Sequence, residues 1–183
     1  MKTPLFYAHN IEQDGRYRHN YKQLLKRKNL SLYCYGGVMK IIQYTEKYRD
    51  DMIFMVLQAK DALGRKPGLN EDLLNINENY INKGYTFWLA IDDLDRVVGC
   101  VGFTRIEGTT EAFIHRLFIK ASEKRKGIGT DLLRKVEDDM RSRGIIVSKV
   151  HLGTPKEQWF ESYLFYPAKG YHEYEPGYMM KMI

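Results

Sequence analysis

The sequence predicts an α/β fold built on a mixed sheet (an α+β arrangement), and three observations predict it. From residue 39 onward the strand and helix signals follow the order β-α-α-β-β-β-α-β-α-β-β. Short turns, Asp92-Asp93-Leu94-Asp95 and Gly108-Thr109-Thr110, separate three apolar runs, as hairpins require. The last of these runs leads through a basic, glycine-containing turn into an amphipathic stretch and then another β-rich run. Hairpins make antiparallel neighbours and a strand-helix-strand crossover makes a parallel pair, so the sheet must contain both.

Each element has its own signal. Residues 40–44 are a short strand. Over 46–63, Tyr48, Met52, Met55, Val56 and Ala59 fall at helical spacing. The breakers Gly64, Pro67 and Gly68 make 64–68 a loop carrying Arg65 and Lys66. Asn70 is placed to cap a second helix over 70–82, ended by Gly84. Strands follow over 86–91, with Phe87, Trp88 and Leu89, then over 97–106 and 112–119. A helix over 128–143 puts Leu132, Leu133, Val136 and Met140 on one face and stops at Gly144. Residues 145–152 are β-rich, 157–165 read as a helix, and Gly170-Tyr171 starts a last strand or hairpin. Within it, Tyr178 to Ile183 is the closing strand and a candidate edge for a homodimer.

Composition bounds the function. At 183 residues the chain is most simply one domain with a sizeable core. With 44% apolar and 28% charged residues it is ordinary globular material. No apolar run approaches the roughly 18–20 residues of a membrane helix, so no membrane partner is expected. The start, Met1-Lys2-Thr3-Pro4-Leu5-Phe6, lacks the apolar core of a signal peptide. Cys34 and Cys100 show no metal spacing, so both are expected to be free thiols in a cytoplasmic protein without a metal site. The net charge of +6 is uneven: residues 1–38 carry seven Lys/Arg against two Asp/Glu. The nearly neutral remainder argues against a nucleic-acid partner. Residues 1–38 therefore read as a basic extension, and 39–183 as the functional domain. Three readings of the extension stand: a poorly ordered arm, a segment packing on the domain or a partner subunit, or sequence preceding a natural start at Met39.

The most informative stretch is Lys124-Arg125-Lys126-Gly127-Ile128-Gly129-Thr130. A basic glycine turn between strand and helix is a phosphate cradle, because glycines admit close backbone approach and the N–H groups at a helix start point at an anion. A Walker loop is disfavoured because no Gly-Lys-Ser/Thr lies at the required spacing. A dinucleotide fingerprint is disfavoured by the late position and the missing first glycine.

Cradle and element order together resemble the GNAT superfamily of acyl-CoA-dependent N-acyltransferases. Lys124-Arg125-Lys126-Gly127-Ile128-Gly129 is similar to the family's Arg/Gln-x-x-Gly-x-Gly/Ala signature. Leu117-Phe118-Ile119-Lys120-Ala121 sits at the spacing of the strand-to-turn segment before it, and Tyr166-Pro167-Ala168-Lys169-Gly170-Tyr171 is similar to the family's Tyr-x-x-x-Gly-aromatic element. The resemblance covers residues 39–183. Two departures stand out: Lys124 offers charge without a bidentate fork, and Trp159 replaces an Asn that often touches the coenzyme.

The resemblance implies the GNAT fold, with acetyl-CoA or another acyl-CoA as co-substrate. The backbone N–H groups of Arg125, Lys126, Gly127, Ile128, Gly129 and Thr130 would take its pyrophosphate, with Lys124 adding charge. Leu117, Phe118 and Ile119 would pair with its pantetheine arm. The acceptor would be the amine of a small molecule or peptide, and Tyr166 would donate a proton to the departing thiolate. The base is open between Glu111, His115 and ordered water. By strict alternation Glu111 shares a face with Phe113, His115 and Leu117 unless a bulge intervenes. The acceptor pocket is expected from the 64–69 loop, the second helix, and residues near Trp88 and Phe103. Two further functions are compatible with the resemblance: a non-catalytic acyl-CoA-binding regulatory module, and an acetyltransferase acting on aminoacyl-tRNA.

Overall fold

A computed structural model describes residues 39–66 and 68–183 of the chain. The basic extension 1–38, with Cys34, and Pro67 lie outside the described residues. Among the described residues there are seven strands: β1 (Lys40–Gln43), β2 (Phe87–Ile91), β3 (Val97–Arg105), β4 (Glu111–Ile119), β5 (Val147–His151), β6 (His172–Glu175) and β7 (Tyr178–Met182). The α-helices are α1 (Arg49–Asp61), α2 (Ile76–Asn79), α3 (Ile128–Ser142) and α4 (Phe160–Phe165). The strands form one sheet of order β1-β2-β3-β4-β5-β7-β6. All neighbours are antiparallel except β4 and β5, which the α3 crossover makes parallel.

The two sheet faces carry separate cores. Met52, Met55 and Val56 of α1 pack with Phe87, Leu89 and Ile91 on one face. Leu132, Leu133, Val136 and Met140 of α3 pack on the other with Val101, Phe103, Ala112 and Ile114. Fully burying those four α3 side chains contributes about 6–12 kcal/mol as an upper estimate. The helix stripe read from the sequence is therefore the side that holds α3, and the turn before it, against the sheet.

Two expectations are corrected. The second helix is broken into 3-10 turns at Glu71–Leu74 and Ile81–Lys83 around the single-turn α2. Asn70 does not cap; its Oδ1 accepts from Lys60 Nζ at 2.7 Å, while Asn75 caps α2 by accepting from the Glu78 N–H. The segment is rich in Asn, whose side chains compete for backbone groups and break helices. The closing strand is also not an edge. β7 pairs with both β5 and β6, so β6 is the outer strand on that side.

β4 contains a bulge that decides the geometry of everything near the cradle. Cys100 pairs with Phe118 but Gly102 pairs with His115, so β4 has one extra residue. Arg116 sits there at φ +57°. Its guanidinium grips Asp72, with Nη2 2.7 Å from Oδ1 and Nε 2.9 Å from Oδ2, and Tyr80 donates to the same carboxylate at 2.6 Å. The Arg116 carbonyl accepts from the buried Cys100 thiol at 3.2 Å. Burial pushes that thiol's pKa up to about 12, so it is an inert packing group.

Candidate functional site

The bulge sets which β4 residues face α3. Ala112 and Ile114 belong to the α3 core before it, and Leu117 and Ile119 pack on that core after it. Pairing of β4 with β5 covers only Glu111 to Ile114. Beyond Ile114 the two strands part, and the β5 side of His115–Ile119 is unpaired among the described residues. An unpaired strand edge is a template for an extended chain carrying amide groups.

The turn after β4 has the conformation of an anion nest. Arg125 has φ +63° and Gly127 φ +89°, two left-handed residues flanking Lys126. Such alternation turns successive N–H groups into one concavity. Among the described residues, the N–H groups of Arg125, Gly127, Ile128 and Gly129 make no hydrogen bond within the protein. Thr130 is the exception to the expected set, because its N–H donates to the Gly127 carbonyl at 2.9 Å and closes the first turn of α3. The side-chain charge is also smaller than the three cations suggest. Lys124 pairs with Glu161 at 2.7 Å and Lys126 with Glu123 at 2.9 Å.

The strand edge and the nest open into one cleft of about 490 Å³. Of the residues expected at the coenzyme, Leu117, Phe118, Ile119, Lys124, Arg125, Gly127, Ile128, Gly129 and Thr130 line it and Lys126 does not; Arg65, Trp159, Glu161 and Tyr166 are also in its lining. Tyr166 follows the last turn of α4 and is 5% exposed. Its ring meets Phe165 and Tyr171 edge-on, each at 5.2 Å. No described residue hydrogen-bonds its hydroxyl. Burial, helped by the Glu137 charge, raises its pKa well above the ordinary 10, so the phenol stays protonated at every physiological pH. The site thus combines an anion nest, an open strand edge and a protonated phenol.

Glu111 and His115 lie elsewhere. Because the bulge reverses the alternation, Glu111, Phe113 and His115 do not share the face of Leu117. Six residues of strand also separate Glu111 from Leu117, about 20 Å. Glu111 is held by Lys149 at 2.5 Å. It lines a separate, shallow depression with Arg105, Gly108, Thr109 and Thr110. His115 Nε2 is 2.8 Å from Thr104 Oγ1, and its ring packs near Tyr80.

Burial, and then the neighbouring Arg116 charge, lower the His115 pKa from 6.5 to about 4. The unfolded chain therefore binds this proton more readily than the folded one. Stability should rise with pH between about 4 and 6.5, by on the order of 2–3 kcal/mol, and His115→Gln should flatten that limb. Urea titrations at pH 4.5 and 7 measure the difference. An unchanged limb in the variant would assign it to other groups.

Trp88 and Phe103 do not line the cleft. Phe103 is fully buried in the α3 core, and Trp88 donates from Nε1 to Asp139 at 3.3 Å under the Lys135 ammonium. Several cleft residues were not expected, Gln158 and Glu161 among them. With Phe165 they recur at helical spacing, which was the available signal. Among the described residues no cluster of His, Cys, Asp and Glu could hold a metal ion, and no helix is long and apolar enough to cross a membrane.

The sequence profile of the acetyltransferase (GNAT) family matches residues 52–165. A search of curated proteins found no match. Among solved structures, an acetyltransferase of the GNAT family from Staphylococcus aureus MU50 is 25% identical, with a TM-score of 0.70 over 79% of this chain and 98% of that one. The PaiA N-acetyltransferase from Thermoplasma acidophilum, in complex with coenzyme A, is 18% identical with a TM-score of 0.63 over 79% and 99%. A GNAT family acetyltransferase from Brucella melitensis, in complex with acetyl-CoA, is 16% identical with a TM-score of 0.58 over 79% and 88%.

Proposed function

The chain belongs to the GNAT acetyltransferase family, and on that premise we propose that it transfers an acetyl group from acetyl-CoA to the primary amine of a small molecule or peptide. One observation carries this reading: the nest, the open β4 edge and the Tyr166 hydroxyl share a single cleft.

The residues suit the coenzyme. The uncommitted N–H groups of Arg125, Gly127, Ile128 and Gly129 would hold its diphosphate. The open edge at Leu117, Phe118 and Ile119 would pair with the amides of its pantetheine arm. When bound, the coenzyme supplies an activated acyl group as a thioester. As the amine nitrogen forms its bond to the carbonyl carbon and the C–S bond breaks, Tyr166 would donate its phenolic proton to the departing sulfur and recover one from that nitrogen.

The acceptor arrives as an ammonium of pKa near 10 and must lose a proton before it attacks. Glu111 is engaged by Lys149 and His115 by Thr104, both on the other face of β4. That proton leaves through water.

The test is incubation with acetyl-CoA and a panel of primary amines and peptides with free N-termini, titrating released thiol. Turnover with at least one amine class is expected. Saturable coenzyme binding without turnover on any class would leave a regulatory acyl-CoA-binding module instead.

A further inference from the structure

A ribbon of six rings crosses the sheet face opposite α3. Tyr80 meets His115 with ring centroids 6.4 Å apart, His115 meets Phe113 at 6.3 Å, and Phe113 meets Tyr178 at 6.3 Å. Tyr178 then stacks on His151 at 4.5 Å and meets Tyr174 at 6.2 Å. Strand alternation fixes the face. Ala112, Ile114, Val150 and Met179 belong to the α3 core, so their neighbours Phe113, His151 and Tyr178 point the other way. Phe113 and Tyr178 are not on adjacent strands; their rings meet over β5, which lies between β4 and β7.

α1 covers this face over β2 and β3. Beyond it Phe113, His115, Tyr174 and Tyr178 are half-buried and His151 is exposed, while the buried Tyr80 closes one end. Rings left partly in water and joined into one surface mark a place of recognition. Pairing of β4 with β5 stops at Ile114 and Val150, so Phe113 and His115 straddle the point where the strands part. Tyr166 lies across the sheet from them, in the α3 core. The carboxylates beside the ribbon are committed, Glu111 to Lys149 and Asp72 to Arg116. Glu175 is exposed at the far end, on β6.

This step rests on the acetyl-transfer reading above. We propose that the ribbon selects the acceptor, a primary amine carrying an aromatic ring on a short linker. The ring lies on Phe113 and Tyr178, and the nitrogen enters between β4 and β5 toward the thioester beside Tyr166. Ring faces suit a flat apolar body and add stacking to its burial. A polyamine or a polycationic aminosugar would instead call for several free carboxylates.

Thiol release from acetyl-CoA, compared for phenethylamine, butylamine, diaminobutane and glucosamine, tests this. Phenethylamine should have the highest kcat/KM, about 10- to 100-fold above butylamine and chiefly through KM. Phe113→Leu and Tyr178→Leu keep apolar bulk and lose the ring, and each should shrink that ratio at least about fivefold. Thermal melts of both report folding, and isothermal titration of phenethylamine into the coenzyme A complex reads binding without turnover. Preference for the diamine or the aminosugar, or an unchanged ratio in both leucine variants, would overturn the proposal. A dimer in sedimentation that both variants dissociate would assign the ribbon to a second copy of the chain and overturn it as well. No thiol release with any amine, despite coenzyme binding, would sink the transferase reading itself, an outcome separate from the others.

Discussion

Replacing Tyr166 with Phe is expected to lower kcat about 100- to 10,000-fold while leaving the affinity for coenzyme A nearly unchanged. The substitution removes one oxygen and keeps the ring that packs against Phe165 and Tyr171. The hydroxyl has no hydrogen bond to a described residue, so its loss strands no buried partner, and stability should hold within about 0.5 kcal/mol. The phenol is also the right form for the task. Burial and the Glu137 charge raise its pKa, so its proton is present across the working pH range. The wild-type pH profile should therefore show no limb from tyrosine ionisation below pH 10. Steady-state kinetics, calorimetry and a thermal melt separate the three effects. Full activity in the variant would remove Tyr166 from the mechanism, and a large loss of melting temperature would make it a core residue.

Lys181→Met is expected to destabilise the fold by about 3 kcal/mol, or roughly 6–12 °C in Tm. Glu137 of α3 is 4% exposed and accepts from Lys181 Nζ with both carboxylate oxygens at 2.9 Å. Tyr171 donates to it at 2.9 Å, and Ser148 is 2.6 Å from the Tyr171 hydroxyl. Arg141 adds a longer contact at 3.6 Å from an exposed position. Without Lys181 the carboxylate loses its close cation while staying out of water. Breaking a buried pair costs more than forming it contributed, because the remaining charge is left uncompensated. The double variant Lys181→Met/Glu137→Leu should accordingly recover most of the loss. Denaturant melts of both variants check this, and a double variant no better than the single one would refute the charge argument. The network also braces Tyr171, whose ring contacts Tyr166, so the placement of Tyr166 depends in part on a cluster outside the cleft.

What was legible in the sequence was local. The 3.6-residue stripe of Leu132, Leu133, Val136 and Met140 located α3 and its buried face. The turns at Asp92–Asp95 and Gly108–Thr110 placed the hairpins, and the glycine turn and Tyr166 marked the two ends of the cleft. Each of these signals comes from residues within a few positions of one another, where side-chain period and backbone preference act directly. The tertiary structure decided what depends on distant partners. Asp72 meets Arg116 across 44 positions and accompanies the bulge, which turns Leu117 and Ile119 toward α3 and Glu111 and His115 away. Glu161 meets Lys124 across 37 positions and removes a charge that the cradle's composition promised. Asn side chains broke the second helix, and β7 took the place between β5 and β6 that makes it an inner strand. The rings of Phe113 and Tyr178 meet only because the sheet sets β4 and β7 on either side of β5. A sequence sets periods and turns one stretch at a time. Which charge is neutralised, which strand is an edge and which rings form one surface are set by packing between stretches, where desolvation makes every partner count.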